Sequence, residues 1–147
     1  EYPASQIPTE IRDNGTTLRV ITGATSTQTV GPVRGVATDP IYLDVTLPAE
    51  STLTEPMPES HTIFIFVIDG ELKLRDNENT PVWLNAKQLG TLSDGTAVCV
   101  RAGDTGARFL LVAARPLNEP IARYGPFVMN TPHEIEQAIT DYNAGRF

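Results

Sequence analysis

Few side chains in this sequence of 147 residues are suited to chemistry, since it holds two histidines and one cysteine. His61 lies just before an apolar segment, and His133 lies where a helical pattern begins. A transition-metal site built on imidazole nitrogens needs several such ligands close together. The fold would have to bring His61, Glu59 and His133 together to form such a metal site. We therefore interpret His61 as a polar residue at a strand entrance and His133 as an exposed helix residue.

The single cysteine, Cys99, alternates with Val98 and Val100 in a segment typical of an inner strand. We expect it to be a buried, inert thiol, because a catalytic thiol needs a neighbouring base and the sequence places none beside it. One cysteine also excludes a disulfide framework within this chain and fits a reducing, cytoplasmic location.

Glu119 lies between two prolines, in the segment Pro-Leu-Asn-Glu-Pro at positions 116–120. Proline restricts its own backbone and that of the preceding residue, so this segment should be stiff and extended. Arg115 and Arg123 are near enough in sequence to pair with Glu119. One interpretation is structural: the segment straps across the mouth of the fold and fixes a C-terminal helix.

The other interpretation makes the same region a docking surface for another domain. Glu119, Tyr124, Phe127 and Met129 would then be the contact residues, because large apolar and aromatic side chains commonly anchor interfaces. Both interpretations remain open at this point.

Composition limits the partners of the domain. The chain has 11 basic and 18 acidic residues, a formal net charge of −7. Such a surface repels phosphate backbones, which argues against nucleic-acid binding. The only lysines are Lys73 and Lys87, so a polybasic membrane anchor is also excluded. The length and the 40% hydrophobic share are typical of one globular domain.

Short β-strands should form most of the chain, because apolar residues alternate with polar ones or form short β-branched runs. Turn signals at Asp69-Gly70 and at 103–106 predict hairpins. We expect Ile63, Ile65, Val67, Val98 and Leu110 to point inward, and both faces of 62–68 to be buried. The predicted strands are 17–22, 41–47, 62–68, 71–75, 81–84, 88–92, 96–101 and 107–113.

A helix should close the chain and pack its apolar stripe on the strands. Thr131, Pro132 and Glu134 form a helix-start pattern, and Gly145 supplies the stop. Residues 1–16 predict a linker or arm, 17–147 a single domain, and 23–35 a loop. The first residue is Glu rather than Met, and we expect the chain to be part of something longer.

Several segments resemble the pirin family: 115–147, the run RVITG at 19–23, IYLDVTL at 41–47 and HTIFIFVIDGEL at 61–72. Pirins carry two cupins in tandem, and this sequence is similar to the second one only. The resemblance implies an all-β, cupin-type jelly-roll β-barrel or sandwich with a C-terminal α-helix. For the family it also implies a metal, usually iron, in the first cupin, a quercetin 2,3-dioxygenase activity in some members and a transcription-cofactor role in animals.

The metal-ligand pattern of the family can be placed on this sequence by its spacing before Gly70. The His-x-His positions fall on Pro56 and Pro58, and the carboxylate position falls on Thr62. Proline has no side-chain donor, and 107–113 holds no histidine for the third imidazole position. We therefore expect no metal, no cofactor and no catalytic residue in this domain, with iron or another divalent metal in an N-terminal domain.

Three functions follow as hypotheses. The first is a metal-free domain that supports and docks with a metal-bearing N-terminal cupin. The second is a part of a metal-dependent, quercetin 2,3-dioxygenase-like enzyme whose active site lies in the N-terminal half. The third is a transcription-cofactor-like module that binds a protein partner.

Overall fold

Eight antiparallel strands form the main sheet of the computed structural model, which describes residues 2–75 and 79–146. A 3-10 turn, Ala4–Gln6, precedes them. The strands are β1 (Thr9–Ile11), β2 (Thr17–Thr22), β3 (Ile41–Leu47), β4 (Thr52–Pro56), β5 (Thr62–Arg75), β6 (Pro81–Asn85), β7 (Leu89–Thr91) and β8 (Ala97–Ala114).

Strand β8 organises this sheet because it pairs with three others. Its second half pairs with β3 and β5, and its first half pairs with β4. The strand order is β1-β2-β3-β8-β5-β6, with β4 on β8 and β7 on β5. β1 lies within the predicted arm and pairs with β2. β4 was not predicted, whereas the bounds predicted for β2 and β3 are confirmed.

The hairpin predicted at Asp69-Gly70 is wrong, because β5 runs through both residues. Gly70 has a positive φ of 73°, as the turn signal implied. This φ is used in a bulge instead: the register between β5 and β8 shifts on both sides of Asp69 and Gly70, and the pairing then continues at Leu72.

The hairpin predicted at 103–106 is wrong for the same reason. β8 continues through this segment, and Gly106 has a φ of 80°. Gly70 pairs with Ala107, so its Cα lies against the backbone of Gly106. Two glycines thus bend both long strands at one place.

This bend decides which residues of β8 face the core. Val98 and Val100 are buried before it, and Phe109 and Leu111 after it, so the buried positions change from even to odd numbers. The prediction that Leu110 points inward is therefore wrong, since it is only half-buried. The inward prediction is confirmed for the others: Ile63, Ile65, Val67 and Val98.

The second face of β5 is more open than expected. Phe64, Phe66 and Ile68 are only half-buried. The prediction that both faces of this strand are buried is therefore wrong for this face. A second face that is only partly covered fits a sheet packed mainly on one side.

A buried carboxylate ties three segments of this sheet together. Glu55 on β4 is only 1% exposed. It accepts hydrogen bonds from the Ser26 backbone N–H and hydroxyl, and from Arg12 Nη2 at 2.9 Å. Arg12 also pairs with Glu10. The predicted loop at 23–35 is thereby fixed to β4 and to the segment that follows β1.

Residues 117–146 belong to a second compact unit. Strands β9 (Ala122–Tyr124) and β10 (Phe127–Met129) form a hairpin that contacts helix α1 (Pro132–Asn143). None of the described helices is long and apolar enough to cross a membrane.

The predicted helix start is confirmed as a reciprocal capping box. Thr131 Oγ1 accepts from the Glu134 N–H, and Glu134 Oε2 accepts from the Thr131 N–H at 2.8 Å. The hydroxyl and N–H of Thr131, with the N–H of Asn130, lower the pKa of Glu134. Gly145, with a φ of 67°, follows the helix as predicted.

The glycine contact between the long strands predicts a large effect of one methyl group. In Gly70→Ala, the new Cβ would collide with the Gly106 carbonyl oxygen at a backbone φ that alanine disfavours. We expect the free energy of unfolding to fall by about 3 kcal/mol or more in urea denaturation.

The matched control is Gly95→Ala, whose Cβ would meet no atom within 4 Å. That substitution should change the free energy of unfolding by less than about 0.5 kcal/mol. Equal stability of the two variants would contradict the role given to the Gly70–Gly106 contact.

Candidate functional site

The resemblance places the metal-ligand positions of the family on Pro56, Pro58 and Thr62. Pro56 ends β4 and pairs with Ala97, Pro58 lies in the connection to β5, and Thr62 begins β5. All three residues are exposed. Neither proline has a side-chain donor atom, so these residues do not fit a metal ion at this place.

The imidazole of His61 is hydrogen-bonded to a backbone carbonyl group. Its Nε2–H donates to the Asp39 carbonyl oxygen at 2.7 Å, and its Nδ1 lies 3.4 Å from the Ser60 hydroxyl. Its side chain is 3% exposed. This agrees with a hydrogen-bonded polar residue at a strand entrance, and His133 is exposed on α1 as expected. Within 2–75 and 79–146, no three His, Cys, Asp or Glu residues lie together as a metal-binding group.

The expectation that Cys99 is buried is wrong. Val98 and Val100 face the core, so Cys99 between them faces outward and is exposed. Its Sγ lies 3.5 Å from the Thr54 hydroxyl on the paired strand β4. Cys99 alternates with Val98 and Val100 as the sequence indicates, but only the two valines face the core.

Glu119 has a structural partner within the second unit. It accepts a hydrogen bond of 2.7 Å from the Asn130 side-chain amide, which also donates to the Pro120 carbonyl at 3.2 Å. The ion pairs found among the described residues do not join Glu119 to Arg115 or Arg123. The stiff segment is thus fastened to the residue before the helix cap.

The three apolar docking candidates differ in exposure. Phe127 is half-buried and packs edge-on against Tyr142, with ring centroids 6.1 Å apart and planes at 67°. Met129 is also half-buried, whereas Tyr124 is 68% exposed. Phe127 therefore holds the hairpin to the helix, and Tyr124 is the candidate available to a partner.

Sequence reasoning missed most of the exposed apolar side chains of this unit. Five large ones are exposed in 117–146, against seven in the described part of 1–116, a segment more than three times as long. Ile121 is the most open at 80%. Two of the missed residues, Leu117 and Ile121, lie in the proline-rich segment 116–121, whereas Val128 lies on β10 and Tyr142 on α1. Apolar residues in a segment that predicts neither a strand nor a helix were the available signal for the first two. We use the name apolar C-terminal surface for this set of exposed residues, in which the hairpin register places Tyr124 and Val128 on opposite faces: Leu117, Ile121, Tyr124, Val128 and Tyr142.

Comparison with known proteins agrees with this fold. Residues 42–147 match the model of the Pirin C-terminal cupin domain. The chain belongs to the pirin family. The predicted resemblance and its restriction to the second cupin are thereby confirmed.

Relatives cover the chain almost completely but extend well beyond it. A pirin-like protein of Caulobacter vibrioides is 42% identical over all 147 residues, which are 51% of its own length. Human pirin is 33% identical over 97% of this chain and 48% of its own. This chain spans about half the length of the curated relatives that it matches.

Solved structures confirm the cupin fold. A quercetin 2,3-dioxygenase of Acinetobacter baumannii superposes with a TM-score of 0.84 at 34% identity, covering 99% of this chain and 49% of that one. An RmlC-like cupin of Shewanella frigidimarina, at 10% identity and a TM-score of 0.55, shares the fold alone over 80% of this chain and 91% of its own.

The different exposures of Phe127 and Tyr124 predict different effects of alanine substitution. Phe127→Ala removes the ring contact with Tyr142, so amide hydrogen exchange in the hairpin and helix should accelerate at least about tenfold. Tyr124→Ala removes an exposed side chain and should leave exchange within about twofold of wild type in residues 117–146. Equal exchange in the two variants would contradict the packing role of Phe127.

Proposed function

We propose that this domain is the metal-free C-terminal cupin of a two-cupin protein, where it supports and docks with a metal-bearing N-terminal cupin. The observation that carries the proposal is the apolar C-terminal surface. Isolated exposed apolar residues are ordinary on proteins, but a concentration of them in one small unit is typical of an interaction site. The relatives are about twice as long as this chain, which fits a partner domain of similar size in the same protein.

The residue types of this domain also support the proposal that the metal is held by the N-terminal cupin and not by this one. Pro56 and Pro58 stand where ligands would be needed, and the histidines of the chain are a backbone-bonded residue and an exposed helix residue. A domain with this composition stabilises its partner by burying apolar area, at about 25 cal/mol per Å² removed from water. Tyr124 and Tyr142 suit this role because aromatic side chains are frequent interface anchors.

A second candidate concerns the intact protein. The superposition on a quercetin 2,3-dioxygenase favours a metal-dependent dioxygenase acting on a flavonol-like aromatic. Iron or another divalent metal would then be held by the N-terminal half, and this domain would contribute no ligand to it. Its part would be structural, through the docking surface.

The docking proposal predicts that polar residues on the apolar C-terminal surface separate the two halves. In the full-length protein, Ile121→Ser with Tyr124→Ser should raise the radius of gyration in solution scattering. Amide exchange of the N-terminal half should rise as well, because an apolar contact has been lost. Leu89→Ser is the control, since Leu89 is 56% exposed on β7. Scattering and exchange identical to wild type in the double variant would refute docking by this surface.

The metal-free assignment predicts that the histidines of this domain are dispensable for metal binding. His61→Gln, which keeps a side-chain N–H donor, and His133→Ala should leave the metal content of the full-length protein unchanged after chelator dialysis, measured by elemental mass spectrometry. Oxygen uptake with quercetin should be unchanged too. Loss of half the metal or more in either folded variant would show that this domain supplies a ligand.

A further inference from the structure

A cleft opens where the two longest strands stop pairing with each other. Lys73 of β5 and Arg101 of β8 form their last pair. Beyond it, β5 continues beside β6, and β8 continues toward its N-terminal end beside β4. The two ribbons diverge at this fork and leave a cleft of about 710 Å³ between them. That volume is within the range of small-molecule sites.

The walls of the cleft are apolar and belong to the core. Ile63, Leu74 and Val98 line it and are buried, and Leu84 and Leu92 pack against the same core. The apolar body of a ligand would therefore be removed from water against side chains that are already fixed by packing.

The rim of the cleft is cationic although the chain is acidic. Lys73, Arg75 and Arg101 line it, against a single lining carboxylate among the described residues, Asp94. The chain as a whole carries 18 acidic residues against 11 basic ones. The positive charge at the fork thus runs against the charge of the rest of the surface, which favours an anionic ligand.

Lys73 and Arg101 form an unfavourable cross-strand pair. Like charges directly opposite each other on neighbouring strands repel. The structure compensates in part: Arg101 pairs with Glu50, and the Lys73 ammonium lies 5.4 Å from the centre of the Trp83 ring. Among the described residues, Lys73 has no carboxylate within ion-pair distance, but Glu50 lies close enough to interact with both cations: the hydrogen bond from Arg101 lowers the pKa of Glu50, and the charge of Lys73 lowers it further. Violations of local sequence–structure preferences are expected at functional sites.

We propose that this cleft binds a small apolar organic carboxylate, with its apolar body against Ile63, Leu74 and Val98 and its carboxylate between Lys73 and Arg101. The anion would relieve the repulsion between the two cations and form charge-assisted hydrogen bonds with both. Pro56, Pro58 and Thr62 do not line this cleft, nor do the residues of the apolar C-terminal surface.

Calorimetric titration of the full-length protein with naphthoate and with its neutral isostere naphthamide tests the charge requirement. Naphthoate should bind saturably, one molecule per chain, and at least about tenfold more tightly than the amide, the usual worth of a hydrogen bond to a charged group. Equal affinities, or no saturable binding of naphthoate, would overturn the proposal.

Three charge variants locate the binding. Lys73→Gln should weaken naphthoate binding by about tenfold, whereas Arg115→Gln, an exposed arginine that does not line the cleft, should not change it. Glu50→Gln should tighten binding by about threefold, because it releases Arg101 and removes a competing negative charge. Tighter binding cannot result from damage to the fold. Lys73→Gln with wild-type affinity, or Glu50→Gln with weaker affinity, would contradict the site.

Cys99 provides an independent check because it lines the same cleft and is exposed. Saturating naphthoate should slow alkylation of Cys99 by N-ethylmaleimide at least about fivefold by peptide mapping, with half-protection at the calorimetric Kd. Unchanged alkylation at saturation would place the bound molecule elsewhere and refute the assignment.

Discussion

The contact between the backbones of Gly70 and Gly106 sets the orientation of side chains along both long strands. At this point each strand gains a bulge, and the set of buried positions changes from one parity to the other. In β5 the change is from Ile65 and Val67 to Leu72 and Leu74. Without the bulges, one half of each strand would direct its polar side chains into the core. The packed interior, the exposed thiol and the fork all depend on this local geometry.

Much of the fold could be predicted because short-range patterns determine it. The alternation in Ile41–Leu47 and the cap at Thr131 predicted β3 and α1 directly. Asp69-Gly70 was a true signal for a positive φ, but turn and bulge both use that conformation. The choice between them depends on β8, which lies far along the chain. The inward prediction for Leu110 failed for the same reason, since the change of parity arises from that bulge.

The candidate sites were less accessible to sequence reasoning. That Pro56 and Pro58 have no side-chain donor follows from the residue type, whereas their placement at metal-ligand positions stays a prediction from the resemblance. Choosing candidate docking residues requires knowledge of which side chains the second unit covers: Phe127 packs inside the unit, and Ile121 is exposed. The pairing of Lys73 with Arg101 is a matter of register between distant strands. No local sequence pattern predicts that these two residues are paired.

The carboxylate of Glu55 also determines how the structure can come apart. Arg12, Ser26 and Glu55 belong to three segments that are distant in sequence and share one polar network. If any one segment left its place, a carboxylate that is 1% exposed would lose partners that water could not replace without entering the fold. We therefore expect the loop and the first strand to be coupled thermodynamically to the sheet and to unfold together with it rather than one by one.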